Sequence, residues 1–121
     1  MSRRPDPDHV PLTTAQLEQV AARFRALSAP SRLRVLNALM RGPLGMDALA
    51  AASGLQQSNL SRQVAELERA GCVARERDGR QVVVRIVDQT LRQLCALVCG
   101  SLQQQAAADE AVWRPRRAGT R

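Results

Sequence analysis

Between Ala48 and Ile86 the chain reads ALAAASGLQQSNLSRQVAELERAG, followed at once by CVARERDGRQVVVRI, and that order leaves few folds open. A short apolar helix breaks at Ser53-Gly54-Leu55, where glycine supplies the left-handed backbone that ends helices. In the helix that follows, Leu60, Val64 and Leu67 recur at i, i+4 and i+7, which gives one buried face. Two strand-like runs, about Cys72 to Arg77 and Gln81 to Val87, then flank Asp78-Gly79, a pair suited to a tight hairpin. Helix, turn, helix and basic hairpin together predict a helix-turn-helix with a wing. Double-stranded DNA is the partner expected of such a unit.

The flanking segments read as support for this unit. Residues 1–12 hold three prolines and alternating charges and are expected to form a flexible arm in which His9 is solvated. Thr13 and Gln16 have capping-box spacing, and Leu17, Val20, Ala21, Phe24 and Leu27 then recur as one stripe of a first helix ending near Leu27. Pro30 suits the first position of a second helix, with Leu33, Leu36, Leu39 and Met40 facing inward until Gly42-Pro43 stops it. Asp47 is placed to cap the third helix, which carries Leu49 inward, and Gly71 closes the fourth. A last helix from Asp88 to about Gln105 puts Leu91, Leu94, Cys95, Val98 and Leu102 on one side. The expected organisation is an arm over 1–12, a winged helix-turn-helix domain over 13–105 and a basic flexible tail over 106–121 that includes WRPRRAGTR. The predicted fold is mostly α with a small β-hairpin wing.

Composition narrows the partner. With 121 residues, 45% of them hydrophobic, the chain has room for one domain with a core. One Phe, one Trp and no Tyr exclude the aromatic platforms on which single strands stack. The formal charge is +7, and all 18 cations are Arg, whose planar fork bonds phosphate or a guanine edge in two places. Genomic base composition also explains a preference for Arg over Lys, but it leaves the charge in place. With no export signal and no apolar run of the ~18 residues a membrane span needs, a soluble, cytoplasmic protein without a membrane partner is expected. No enzyme is expected either, since the sole His lies in the arm and no phosphate-cradling loop occurs.

The DNA-facing candidates lie on the fourth helix and the hairpin. Gln57, Ser58, Asn59, Ser61, Arg62 and Gln63 occupy the faces left by the apolar stripe. Gln and Asn can pair with adenine and Arg62 with guanine, while the serines admit the backbone to phosphate. A plain solvent-facing helix side has the same composition, and the adjoining hairpin tips the balance. Arg75, Arg77, Arg80 and Arg85 line that ribbon, although Glu76 and Asp78 dilute their charge. A different class of function also fits: a winged-helix protein-interaction module whose basic face meets an acidic partner.

Residues 20–100 closely resemble the winged-helix core of the ArsR/SmtB family of bacterial repressors. The marks are LSAPSRLRVL entering the second helix, GLQQSNLSRQVAELERAG and ARERDGRQVVVRI. The resemblance implies a homodimer that represses transcription from an inverted-repeat operator and releases it when an effector binds. Exposed Leu, Val and Cys on the first and last helices would independently favour pairing through those helices. Three departures stand out. Where the family's arsenic sensors carry a cysteine pair at the start of the third helix, this chain has Gly45, Met46 and Asp47. The zinc-sensor positions after Asp88 correspond to Thr90, Ser101 and Gln104. The second-helix cysteine of its persulfide sensors is replaced by Leu39 and Met40.

An effector site, if thiol-based, must therefore use other residues. Cys95 and Cys99 are four apart on the last helix and share a face. Two thiolates so placed could hold a soft metal or metalloid, with Cys72, a partner chain or solvent as third ligand. They could instead form an oxidant or reactive-sulfur switch if a cation such as Arg92 lowers one pKa, or simply fill an apolar stripe. Cys72, just after Ala70-Gly71, is expected to be a small core side chain.

Overall fold

The computed structural model describes residues 10–113. His9 and the segment after Trp113 therefore lie outside the described residues. The elements run α1 (Thr14–Leu27), α2 (Pro30–Ala38), β1 (Leu44–Gly45), α3 (Met46–Ser53), α4 (Gln57–Arg69), β2 (Val73–Asp78), β3 (Gln81–Ile86) and α5 (Gln89–Trp113). The chain divides after Val87 into two compact units, the second carrying α5.

Capping decides where the first helices start. Thr13 Oγ1 accepts from the Gln16 amide at 3.1 Å while Gln16 Oε1 accepts from the Thr13 amide at 2.9 Å, the reciprocal pair expected from their spacing. Pro30 opens α2 as its first residue. The predicted cap at Asp47 is corrected. Gly45 is the N-cap of α3 and Asp47 lies one residue inside its first turn, where its carboxylate still faces the positive end of the helix.

The core of the first unit is aliphatic. Leu36, Leu39, Leu49, Leu60, Leu67, Val35, Val64, Val84 and Cys72 are fully buried. On α2 the buried arc runs through Val35, Leu36 and Leu39, so Leu33 falls off its edge at 42% exposed and Met40 is half-buried. Both had been expected inside.

The sheet has one strand more than expected. Leu44 and Gly45 pair antiparallel with Val84 and Val83, giving the order β1-β3-β2. This edge lies close enough that a Cβ on Gly45 would sit 2.6 Å from Gln81 Oε1. In the wing, Val73 pairs with Ile86 and Asp78 with Gln81, so the two-residue turn is Gly79-Arg80. Gly79 adopts φ +64°, which the first central residue of a type II′ turn needs. Val84 and Ile86 point inward and Arg85 outward, following the strand period of two.

The last helix is longer than its apolar stripe foretold and continues past Gln105 to Trp113. Asp88 caps it, its Oδ1 accepting from the Leu91 amide at 3.2 Å. Leu91 is buried and Leu94 and Cys95 are half-buried, but Leu97, Val98, Cys99 and Leu102 are exposed.

Truncating a side chain on the buried face of α4 should cost far more than truncating one at the edge of the core. Leu60→Ala is expected to lose about 2–5 kcal/mol in urea unfolding and Leu33→Ala less than about 1 kcal/mol, in keeping with its exposure; equal losses would contradict this packing.

Candidate nucleic-acid interface

α4 presents its outer face because its inner face is pinned. Leu60, Val64 and Leu67 have no exposed surface. Gly54 at φ +74° ends α3, its amide donating to Ala50 O, and Ser53 Oγ accepts from the Leu55 amide. Those bonds fix the turn that aims α4. At its far end Gly71 at φ +79° and the Cys72 amide, bonded to Leu67 O, lead the chain directly into β2, a glycine-terminated stop.

Of the six predicted α4 residues, Gln57, Ser58, Ser61 and Arg62 are exposed together, and Asn59 is half-buried beside them. Gln57 Nε2 also donates to Asp47 Oδ1 at 3.2 Å, tying the start of α4 to α3. Gln63 is the exception. It is buried, and its Nε2 donates to Asn59 Oδ1 at 3.0 Å. Position 63 lies three residues after Leu60 and four before Leu67, which places it on the buried stripe; it cannot itself reach a base edge.

The wing arginines differ in their partners. Arg77 and Arg80 are exposed and make no ion pair among the described residues. Arg75 instead points both Nε and Nη2 at Glu68 Oε1, at 3.1 and 2.7 Å, and so ties β2 to the end of α4. That guanidinium holds the Glu68 carboxyl below its ordinary range through their hydrogen bond, against a smaller opposing effect of desolvation. A lowered carboxylate pKa contributes stability above the ordinary value and loses it as pH falls through the lowered one, so the tie is intact at neutral pH. Arg85 is likewise engaged, by Glu76 at 2.6 Å. Arg69 pairs with Glu66.

One cation on this side was not read from the sequence. Arg34 Nη1 of α2 lies 3.6 Å from where a Cβ on Gly54 would stand, at the turn before α4. The N-cap of α4, Gln56, makes no side-chain cap bond, so the first amides of that helix remain open to an acceptor. Only the tertiary packing of α2 on this turn brings Arg34 there. No local pattern in the sequence reports it.

The cysteines separate. Cys72 is fully buried, Cys95 half-buried and Cys99 exposed. Burial pushes the Cys95 thiol up, and the neighbouring Cys99 adds to the rise, so Cys95 does not meet the condition of a lowered pKa that the oxidant-switch alternative carries. Among the described residues no three His, Cys, Asp or Glu side chains gather into a metal site, and no helix is long and apolar enough to cross a membrane.

The MarR family model matches residues 28–81, which run from the end of α1 through the wing turn. The regulator NmtR of Mycobacterium tuberculosis is 40% identical over 84 residues, 69% of this chain and 70% of that protein. A transcriptional repressor SmtB homolog of Synechocystis is 37% identical over 89 residues, covering 74% of this chain and 67% of the relative. Among solved structures, the antimony-specific transcriptional repressor AntR superposes with a TM-score of 0.72 at 29% identity, over 88% of this chain and 98% of that one. The homodimeric winged helix-turn-helix DNA-binding domain Mb0332 of Mycobacterium bovis gives 0.67 at 29% identity, over 92% and 97%.

Exposure and thiol chemistry together set an order of modification. Iodoacetamide should alkylate Cys99 first, Cys95 more slowly and with a rate that climbs as pH passes above the ordinary thiol range, and Cys72 only on unfolding; peptide mass spectrometry that finds Cys95 labelled ahead of Cys99 at neutral pH would contradict the assigned environments.

Proposed function

The chain belongs to the ArsR/SmtB family of winged helix-turn-helix transcriptional regulators, and from that premise we propose that two copies grip an inverted-repeat operator, each laying α4 in a major groove. The observation that carries this reading is the outward side of α4, where Gln57, Ser58, Ser61 and Arg62 are exposed together beside a wing whose Arg77 and Arg80 make no ion pair among the described residues. Arg62 has the donor fork for a guanine edge. Arg77, Arg80 and Arg34 are placed for phosphates, which set position and not sequence. Arg75 acts by holding the wing to α4.

A second copy accounts for apolar surface that one chain leaves in water. Leu17, Val20 and Phe24 on α1 are 53%, 38% and 57% exposed, and Leu97, Val98 and Leu102 on α5 are 71%, 52% and 59% exposed. Stripes of that kind mark interfaces, and the Mb0332 domain is itself a homodimer. Two-fold pairing would set the recognition helices about 34 Å apart, one turn of DNA.

Release of DNA by an effector belongs to the same proposal. Cys95 and Cys99 offer two soft donors a helical turn apart, and AntR is specific for antimony. The described residues of one chain supply only these two, so a thiophilic metalloid would need a further donor from the second protomer or solvent. Because the Cys95 thiol holds its proton tightly, such binding must displace that proton and should strengthen as pH rises.

Fluorescence anisotropy on operator fragments selected from genomic DNA tests the central reading. The logarithm of affinity should fall linearly with the logarithm of salt, by ~0.9 per phosphate contacted, and Arg62→Ala should cost about 1–3 kcal/mol at one base position and little elsewhere. Absence of binding at low salt would favour the protein-interaction module instead. In sedimentation at micromolar concentration the chain should run as a dimer, and Phe24→Asp should shift it toward monomer.

A further inference from the structure

Gln63 poses a problem that core packing does not solve. It is 9% exposed, and its Oε1 is buried without a hydrogen-bond partner among the described residues. A buried, unpaired carbonyl costs free energy, and an apolar side chain of similar size would avoid that cost. Among the described residues this carboxamide bonds to Asn59, one helical turn earlier, where Nε2 donates to Oδ1 at 3.0 Å. Asn59 in turn sits half-buried at the margin of the exposed face, three residues from Arg62, and residues so spaced are neighbours on a helix.

Covalent geometry gives that bond a consequence. The oxygen and nitrogen of a carboxamide diverge from one carbon, so holding Oδ1 toward Gln63 turns Nδ2 away from it. Without that hold the Asn59 amide could present either end, and its two ends have opposite hydrogen-bonding character.

We propose that Gln63 is a positioning residue for sequence readout: it orients the Asn59 carboxamide so that its amino group leads into the groove. Asn59 is then a donor. It selects a base whose major-groove edge offers an acceptor, such as guanine N7 and O6 or thymine O4, and rejects cytosine, whose edge offers a donor. The inference rests on α4 being the groove-facing helix.

The test uses the full chain and a duplex library randomised through one half-site, with bound sequences counted for the wild type and five variants, Arg62→Ala among them. Asn59→Ala should flatten the preference at one base position. Gln63→Leu should weaken the same position by about fivefold to tenfold, within the range of a base-edge contact, while positions read by other residues keep theirs. Gln63→Glu cannot donate when ionised, so the Asn59 amide should reverse and the position should turn toward cytosine or adenine. The double variant Asn59→Ala with Gln63→Glu should match Asn59→Ala at that position. Thermal unfolding accompanies each, and Gln63→Leu, which introduces no charge, carries the test if the carboxylate destabilises α4. If Asn59→Ala alters the position and neither folded Gln63 variant does, the positioning role is overturned. If Asn59→Ala and Arg62→Ala both leave every position unchanged, the groove-facing assignment of α4 fails instead.

Discussion

Burial of one side of α4 is the constraint from which the rest of the first unit follows. Leu60, Val64 and Leu67 retain no exposed surface, and sealing each such side chain away from water is worth about 1.5–3 kcal/mol. The bond between Arg75 and Glu68 lies in solvent, where an ion pair contributes little. Apolar packing therefore sets where α4 lies and how it is rotated, and the ion pair only trims the wing against it. Once rotation about the helix axis is fixed, the positions of Gln57, Ser58, Ser61 and Arg62 are no longer free. A recognition surface needs that rigidity, because contacts that must first be ordered lose part of their energy to entropy.

The parts of the fold that depend on local rules were legible in the sequence. Thr13 with Gln16, Pro30, Gly54 and Gly71 each act within a turn of where they stand, and the helices begin and end there. The errors arose where a neighbour from elsewhere in the chain decides. Strand β1 exists because Val83 and Val84 offer an open edge to Leu44 and Gly45, which no local pattern announces. Asp47 lost the cap position because that pairing carries the extended chain up to Gly45. Gln63 is different, for its spacing from Leu60 and Leu67 places it inside although its polarity suits the outer face. The tie between Arg75 and Glu68 is not legible locally, because the two lie seven residues apart across a helix end and a strand start.

In the proposed reading the first unit meets DNA and the second holds the candidate effector site. The first carries the helix-turn-helix and wing around an aliphatic core. The second carries Cys95 and Cys99 on a helix whose middle is unburied. Burial raises the Cys95 thiol, and a raised thiol is the poorer nucleophile at neutral pH. Occupancy at that pair could change repression only through differential affinity for DNA-competent and DNA-incompetent arrangements of the dimer.

The most direct test of the account is protection of guanine N7 from dimethyl sulfate on an operator saturated with protein. Two patches of protected guanines, about one helical turn apart and on the same side of the duplex, are the result the account predicts. A single patch, or full occupancy with every guanine N7 still open to methylation, would contradict it, because α4 would then not be lying in the major groove.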